Sequence, residues 1–380
     1  MSTNHTIQET VYSEGKTFFK ALLNDIKNAR QSIEIESYIF TNDTIGNQIV
    51  TALSDAAKKN VSVRVIVDGA GSPFFSHMLA PKLEKSGAHT KIFHPFPWQL
   101  WNFSRSAVRW PVLLRWIYLL LKSNSRNHRK VCIVDQSIAY IGSINVTDHH
   151  IQQSKHGHSW RDASVRITGI PLNDLLAAFD QAWHHRSIKE RLRDTFKHVK
   201  RNPRIRLNNT WHRRRVLYRN LLTRMRRART RIWICNAYFV PDNFLLARLK
   251  ESAHCGVDVR ILLPKKSDIM MIPWASEAFY NSLLKAGVRI FEYLPSNLHA
   301  KVLFVDDWVL VGSTNLNYRS ILHDLEVDLA VSKQKSKDIL EKQFLDDLKD
   351  SQEIELKNWK KRPVLKRYLG KLLLYIKYWI

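Results

Sequence analysis

At 380 residues the chain is long enough for two domains or one duplicated unit, and with 44% apolar residues it can bury a core, which excludes a disordered chain. Lys and Arg number 60 against 34 Asp and Glu, a net charge of +26. The expected partner is therefore an anion, either nucleic acid or a membrane rich in acidic lipid. Cys132, Cys235 and Cys255 show no metal-ligand spacing and read as buried small residues of a reducing compartment. The polar residues 1–10 do not read as a signal peptide, and no window reaches the ~18 uninterrupted apolar residues of a spanning helix.

In chain order, residues 19–30 carry a helical pattern that runs into a strand-like segment at 32–40. A second β-branched run follows at 61–67, then Lys85-Ser86-Gly87 and Pro95. Residues 96–127 are rich in Trp, Leu and Ile with Arg105, Arg109, Arg115 and Lys122 interspersed, and no acidic residue occurs between Glu84 and Asp135. Next come His128-Arg129-Lys130, Asp135, and Gly142-Ser143-Ile144-Asn145, and later Trp160-Arg161-Asp162. Residues 197–231 hold fourteen Lys/Arg and no acid.

The same series then recurs. Residues 217–229 are helical in pattern, 231–240 and 257–263 are strand-like, and Lys285-Ala286-Gly287 and Pro295 follow. His299-Ala300-Lys301, Asp306 and Gly312-Ser313-Thr314-Asn315 complete the second copy, which has no counterpart of 96–127. A basic tail closes the chain, with Leu365, Tyr368, Leu369, Leu372, Ile376 and Trp379 at helical spacing. Strands alternating with helices, twice over, predict two similar α/β domains. The boundaries expected are 1–170 for the first, 171–210 for a basic helical linker, 211–335 for the second and 336–380 for an amphipathic tail.

Two His/Lys/Asn sets suggest one site built from both halves, suited to a phosphodiester. A neutral imidazole attacks phosphorus without adding negative charge, and a second imidazole protonates the departing alkoxide. Lys130 and Lys301 offer charge to the non-bridging oxygens, and Asn145 and Asn315 offer neutral donors. Neither metal nor cofactor is expected. Alternate strand residues share a face, so His128 and Lys130 are expected to point together, as are His299 and Lys301.

Both copies resemble the HKD motif of the phospholipase D superfamily. Residues 127–130, Trp160-Arg161-Asp162, 238–242 and 312–320 resemble its bacterial cardiolipin synthase branch. The resemblance implies two phospholipase D-type α/β domains about a pseudo-two-fold axis, with the active site at their junction. It also implies transfer of a phosphatidyl group between phospholipids, phosphatidylglycerol among them, through a phosphohistidine on His128. Hydrolysis with water as acceptor, or phosphodiesterase action on nucleic acid, are the alternatives. An acid downstream of Gly-Ser-x-Asn orients a histidine in that superfamily. Glu326 fits that position, and Asp162 is the nearest match in the first half. Asp135 and Asp306 complete the candidate site, with a supporting role in the fold. The chain lacks the two N-terminal membrane spans of the best-known cardiolipin synthases. The 96–122 insertion and the tail, in which cations alternate with Trp, Leu, Ile and Tyr, are therefore expected to dock it peripherally on an anionic membrane, at the cytoplasmic face.

Overall fold

The computed structural model describes residues 6–151, 159–184, 203–360, 370 and 372–376. The first half builds a 7-stranded sheet from β1 (Gln8–Tyr12), β2 (Ser32–Ser37), β3 (Ser62–Asp68), β4 (His89–Phe93), β5 (Val131–Val134), β6 (Ile138–Gly142) and β7 (Ser164–Thr168). Its order is β1-β7-β6-β5-β2-β3-β4, with β2, β3 and β4 parallel. The second half adds β8 (Ile205–Leu207), β9 (Arg231–Cys235), β10 (Asp258–Pro264), β11 (Arg289–Tyr293), β12 (Val302–Val305), β13 (Trp308–Gly312), β14 (Val327–Val331) and β15 (Ser351–Glu353). Its order, β15-β11-β10-β9-β12-β13-β14-β8, repeats the first sheet strand for strand from β2 and β9 outward, with β15 added at one edge.

The two sheets face each other. Along β5, Val131 and Ile133 enter the shared core between the sheets, whereas Cys132 and Val134 turn to the helices behind. Along β12, Val302 and Phe304 enter the shared core, and Leu303 and Val305 face the outer helices. This is the period-2 alternation of a strand covered on both faces, and it gives four layers, helix–sheet–sheet–helix.

Two expectations need correction. The 171–210 stretch is not a linker throughout. The helix Asn173–His184 buries Phe179 and Trp183 against β4 and takes Arg64 over the Phe179 ring at 4.8 Å, and β8 is an edge strand of the second sheet. The 336–380 stretch is not a tail at its start. The helix Gln334–Lys349 places Leu340 and Phe344 in the shared core, Phe344 stacks on Trp233 at 5.2 Å, and β15 pairs with β11. Residues 185–202, and Leu365, Tyr368, Leu369 and Trp379 of the tail, lie outside the described residues. Within the tail, Leu373 and Leu374 pack against Ile272 and Ala275, so this part rests on its own domain while Leu372 and Tyr375 stay exposed.

The insertion forms a 3-10 helix, Leu100–Arg105, and an α-helix, Val112–Leu121, entered through Pro111. The α-helix is apolar on almost every side, yet Leu119 is its one buried residue. Leu113 is 70% and Leu121 77% exposed. A helix so apolar normally lies inside a core or a lipid phase.

Candidate active site

Each His-x-Lys segment is the extended lead-in to a hairpin, just before β5 in the first half and β12 in the second. It pairs with the other half. His128 N–H donates to Leu325 O (3.0 Å), and Asn127 and Leu325 form a parallel bridge. Symmetrically, His299 N–H donates to Arg161 O (2.8 Å), and Arg161 bridges Leu298. Each histidine is thereby set beside the strand start that carries the other half's carboxylate. Gly142 and Gly312 let the hairpins close on β7 and β14. A Cβ at Gly312 would stand 2.1 Å from Asp328 Oδ1, and one at Gly142 the same distance from Ser164 Oγ.

The carboxylates cross over in consequence. His128 Nδ1 lies 3.0 and 3.1 Å from the two oxygens of Glu326, and His299 Nδ1 lies 2.9 Å from Asp162 Oδ1. A carboxylate on Nδ1 fixes the proton there and leaves Nε2 as the reactive lone pair. All four side chains are buried. Lys130 Nζ donates to His128 O at 2.7 Å, and Lys301 Nζ donates to His299 O, so each ammonium stands beside its own histidine. Tyr38 and Tyr238 complete the two sets. Their rings lie 5.0 Å from His128 and 6.4 Å from His299, and Lys130 and Lys301 sit over them at 5.2 and 6.0 Å. Asn145 and Asn315 are buried at the same level. Asn145 Oδ1 accepts from Ile39 N–H (3.1 Å), while its Nδ2 has no partner in the protein and is available to a phosphoryl oxygen.

Asp135 and Asp306 do not belong to this site. Asp306 accepts the backbone N–H groups of Arg229, Thr230 and Arg231 at 2.8–3.2 Å, and Asp135 accepts those of Arg30, Gln31 and Ser32. Each clamps the hairpin to the turn before the neighbouring parallel strand. Both sit at positive φ, 49° and 52°, which Asp tolerates better than most residues. The second hairpin loop has two residues (Asp306, Asp307) and the first has three (135–137), which accounts for the one-residue difference between the copies.

The halves differ in what holds the carboxylates. Ser313 Oγ donates to Glu326, and Ser320 also hydrogen-bonds it. In the first half Ser143 Oγ donates to Ala163 O instead, and His150 takes the place beside the carboxylate. Its Nδ1 stands 2.9 Å from Asp162 Oδ2, and its Nε2 accepts Asn145 N–H (3.1 Å). With Nε2 accepting, Nδ1 is the His150 nitrogen that faces Asp162, so both imidazoles stand against this one carboxylate. His150 was not singled out from the sequence. The signal was present: His150 follows Asn145 by five residues, as Ser320 follows Asn315. Tyr38, Tyr238 and Asp268, which accepts Tyr238 OH at 2.6 Å, were also missed.

Burial dominates the electrostatics. It lowers His128 well below the usual imidazole range, and Lys130 and Lys301 lower it further. His299 is lowered to about 4 by burial and Lys301, partly offset by Asp162 and Asp268. Burial raises Glu326 well above the carboxylate range. It pulls Asp162 the same way, but His299 and His150 outweigh it and hold Asp162 well below. Burial brings Lys301 down to about 8 and Lys130 well below its ordinary value. Lys130 and Lys301 beside two imidazoles, whose Nδ1 atoms are already held by Glu326 and Asp162, leave positive charge for the non-bridging oxygens of a phosphodiester. Among the described residues, no group of three or more His, Cys, Asp or Glu is placed to hold a metal ion.

The family model described as cardiolipin synthase, PLD-like domain, matches residues 22–156 and again 221–348, one copy in each half. A cardiolipin synthase 1 of Bacillus cereus is 32% identical over 371 residues, covering 94% of this chain and 69% of that protein. A cardiolipin synthase of Clostridium perfringens is 30% identical over 369 residues, covering 94% and 74%. Among solved structures, phosphatidylserine synthase of Haemophilus influenzae superposes over 98% of this chain and 95% of its own, with a TM-score of 0.69 at 13% identity, which shows a shared fold. With both copies of the motif gathered into one buried site, the chain belongs to the cardiolipin synthase branch of the phospholipase D-like enzymes.

Proposed function

We propose that the protein is a phosphatidyltransferase that moves a phosphatidyl group from one phospholipid to another, phosphatidylglycerol serving as donor and acceptor, through a phosphohistidine on His128. The observation that carries this reading is the crossed pairing, His128 with Glu326 and His299 with Asp162. It makes two oriented imidazoles that depend on both halves. The roles follow from their neighbours. Burial first, and then the charges of Lys130 and Lys301, keep His128 neutral and nucleophilic, while Glu326 holds its Nδ1 proton. His299 has Asp162 and Asp268 beside it, which offset part of the lowering by burial and Lys301, and the negative charge of a bound phosphodiester adds to them in favouring its imidazolium. His128 Nε2 attacks phosphorus, the phosphorus–oxygen bond to the glycerol headgroup breaks, and His299 supplies the proton that the leaving oxygen needs. His299 then takes the proton of the acceptor's hydroxyl as that oxygen displaces His128. Lys130, Lys301 and the Asn145 amide hold the non-bridging oxygens through both steps.

The exposed apolar insertion 96–121 supports a lipid substrate and peripheral docking on a membrane. No helix among the described residues is long and apolar enough to cross a membrane. The test is to incubate purified protein with phosphatidylglycerol vesicles, and separately with single-stranded DNA, and to identify products. Cardiolipin with release of glycerol is expected, phosphatidic acid alone would indicate a hydrolase, and cleaved DNA with untouched lipid would establish a nuclease.

A further inference from the structure

Both halves end their second parallel strand in an exposed apolar loop at the same place. In the first half, Phe74 and Met78 follow β3, and Phe74 is 67% exposed. In the second, Ile269, Met270 and Met271 follow β10, and Met270 is 71% exposed. Each loop is tied to the tyrosine of its own catalytic set. Ser72 Oγ donates to Tyr38 O at 2.9 Å, and Tyr238 OH donates to Asp268 at 2.6 Å. The loops therefore stand at the edge where the parallel strands end, each next to the tyrosine that lies against its half's histidine, Tyr38 at 5.0 Å from His128 and Tyr238 at 6.4 Å from His299. Each is extended by other exposed apolar surface. His77 packs on Trp101 of the insertion (5.9 Å), and Ile272, next to the second loop, carries Leu373 and Leu374, beside which Tyr375 is exposed. Basic residues accompany both: Lys266 precedes the second loop, where Lys265 is paired with Glu292 and Asp268 with Tyr238 OH, and no acid interrupts residues 85–134 beside the first.

We propose that these two loops are lips that seat the active-site mouth in an anionic bilayer and thereby set the partition of the phosphatidyl-enzyme between lipid and water. The proposal rests on the phosphatidyltransferase reading and concerns the fate of the covalent intermediate. In the second step the His128–phosphorus bond breaks and a new oxygen–phosphorus bond forms, the acceptor's proton passing to His299. The same step with water as acceptor gives phosphatidic acid. Nothing in the cluster of imidazoles and ammonium groups distinguishes a lipid hydroxyl from water, so the choice depends on which one reaches the mouth. A bilayer pressed between lips on both halves admits lipid laterally and excludes water.

The test compares the wild type with two variants on phosphatidylglycerol vesicles, Ile269→Ser/Met270→Ser/Met271→Ser and Phe74→Ser/Met78→Ser. The ratio of phosphatidic acid to transfer product is measured beside turnover of a short-chain soluble phosphodiester. Each variant is expected to bind vesicles roughly tenfold more weakly and to raise the phosphatidic acid ratio severalfold, with soluble turnover unchanged. A Met270→Trp variant is expected to lower the ratio. An unchanged ratio in both serine variants overturns the proposal, and so does a parallel loss of soluble turnover, which would make the loops supports of the site. If the wild type itself forms no transfer product, the phosphatidyltransferase reading fails instead.

Discussion

Replacing Glu326 by Gln tests the crossed pairing at its most sensitive point. The Glu326 side chain is buried, and both of its oxygens lie within 3.1 Å of His128 Nδ1. Glutamine keeps the size, but its NH2 group then faces Nδ1. A donor there makes Nδ1 an acceptor, moves the proton to Nε2 and removes the lone pair that attacks phosphorus. The corresponding change of the histidine-orienting Asp in serine proteases costs about 10⁴-fold, or about 5 kcal/mol of barrier, and a similar loss is expected here. Asp162→Asn should damage His299 instead. The two are separable with a p-nitrophenyl phosphodiester, whose leaving group needs no proton. Asp162→Asn should release a burst of one p-nitrophenol per enzyme and then stall, because His299 is still needed to activate the acceptor. Glu326→Gln should give no burst. A burst from Glu326→Gln and none from Asp162→Asn would refute the assignment, and wild-type behaviour in both would refute the pairing.

Three further outcomes are expected from the same geometry. Lys301, lowered to about 8, loses its charge as pH rises through that value, so kcat/KM should fall on the alkaline side near pH 8, and a profile flat to pH 10 would count against its role. His150→Ala leaves Asp162 with His299 alone among its two imidazoles, and a loss of about 10- to 100-fold is expected. With one fewer donor Asp162 binds the His299 proton more strongly, so the His299 limb of the pH profile should move to higher pH, with Lys301 and Asp268 unchanged beside it; an unshifted profile would make His150 merely structural. Asp306→Ala removes a clamp on three backbone N–H groups and should lower stability by about 2–3 kcal/mol, measured by denaturant unfolding, while leaving kcat within about twofold of wild type.

The duplicated His-x-Lys and Gly-Ser-x-Asn were legible because they recur within a longer repeat of strands and helices. Glu326 and Asp162 were legible as orienting acids, but their partners were not. A carboxylate pairs with the histidine of the other half because the bridges Asn127–Leu325 and Arg161–Leu298 join segments far apart in sequence. His150 escaped notice because a histidine five residues after Asn145 and a serine five after Asn315 perform the same task with different chemistry. The boundaries at 171–210 and 336–380 misled because basic surface residues mask the apolar face of each helix. Phe179 and Trp183, and Leu340 and Phe344, are the residues that pack.

The claim that the two halves make one covalent-transfer site can be tested by trapping. The enzyme would be mixed with phosphatidylglycerol vesicles, quenched within one turnover, digested under alkaline conditions that preserve phosphohistidine, and its peptides mapped. A phosphorylated or phosphatidylated peptide containing His128 is the expected result, and it should be absent in Glu326→Gln. The modification on His299, or active enzyme with neither histidine modified, would contradict it.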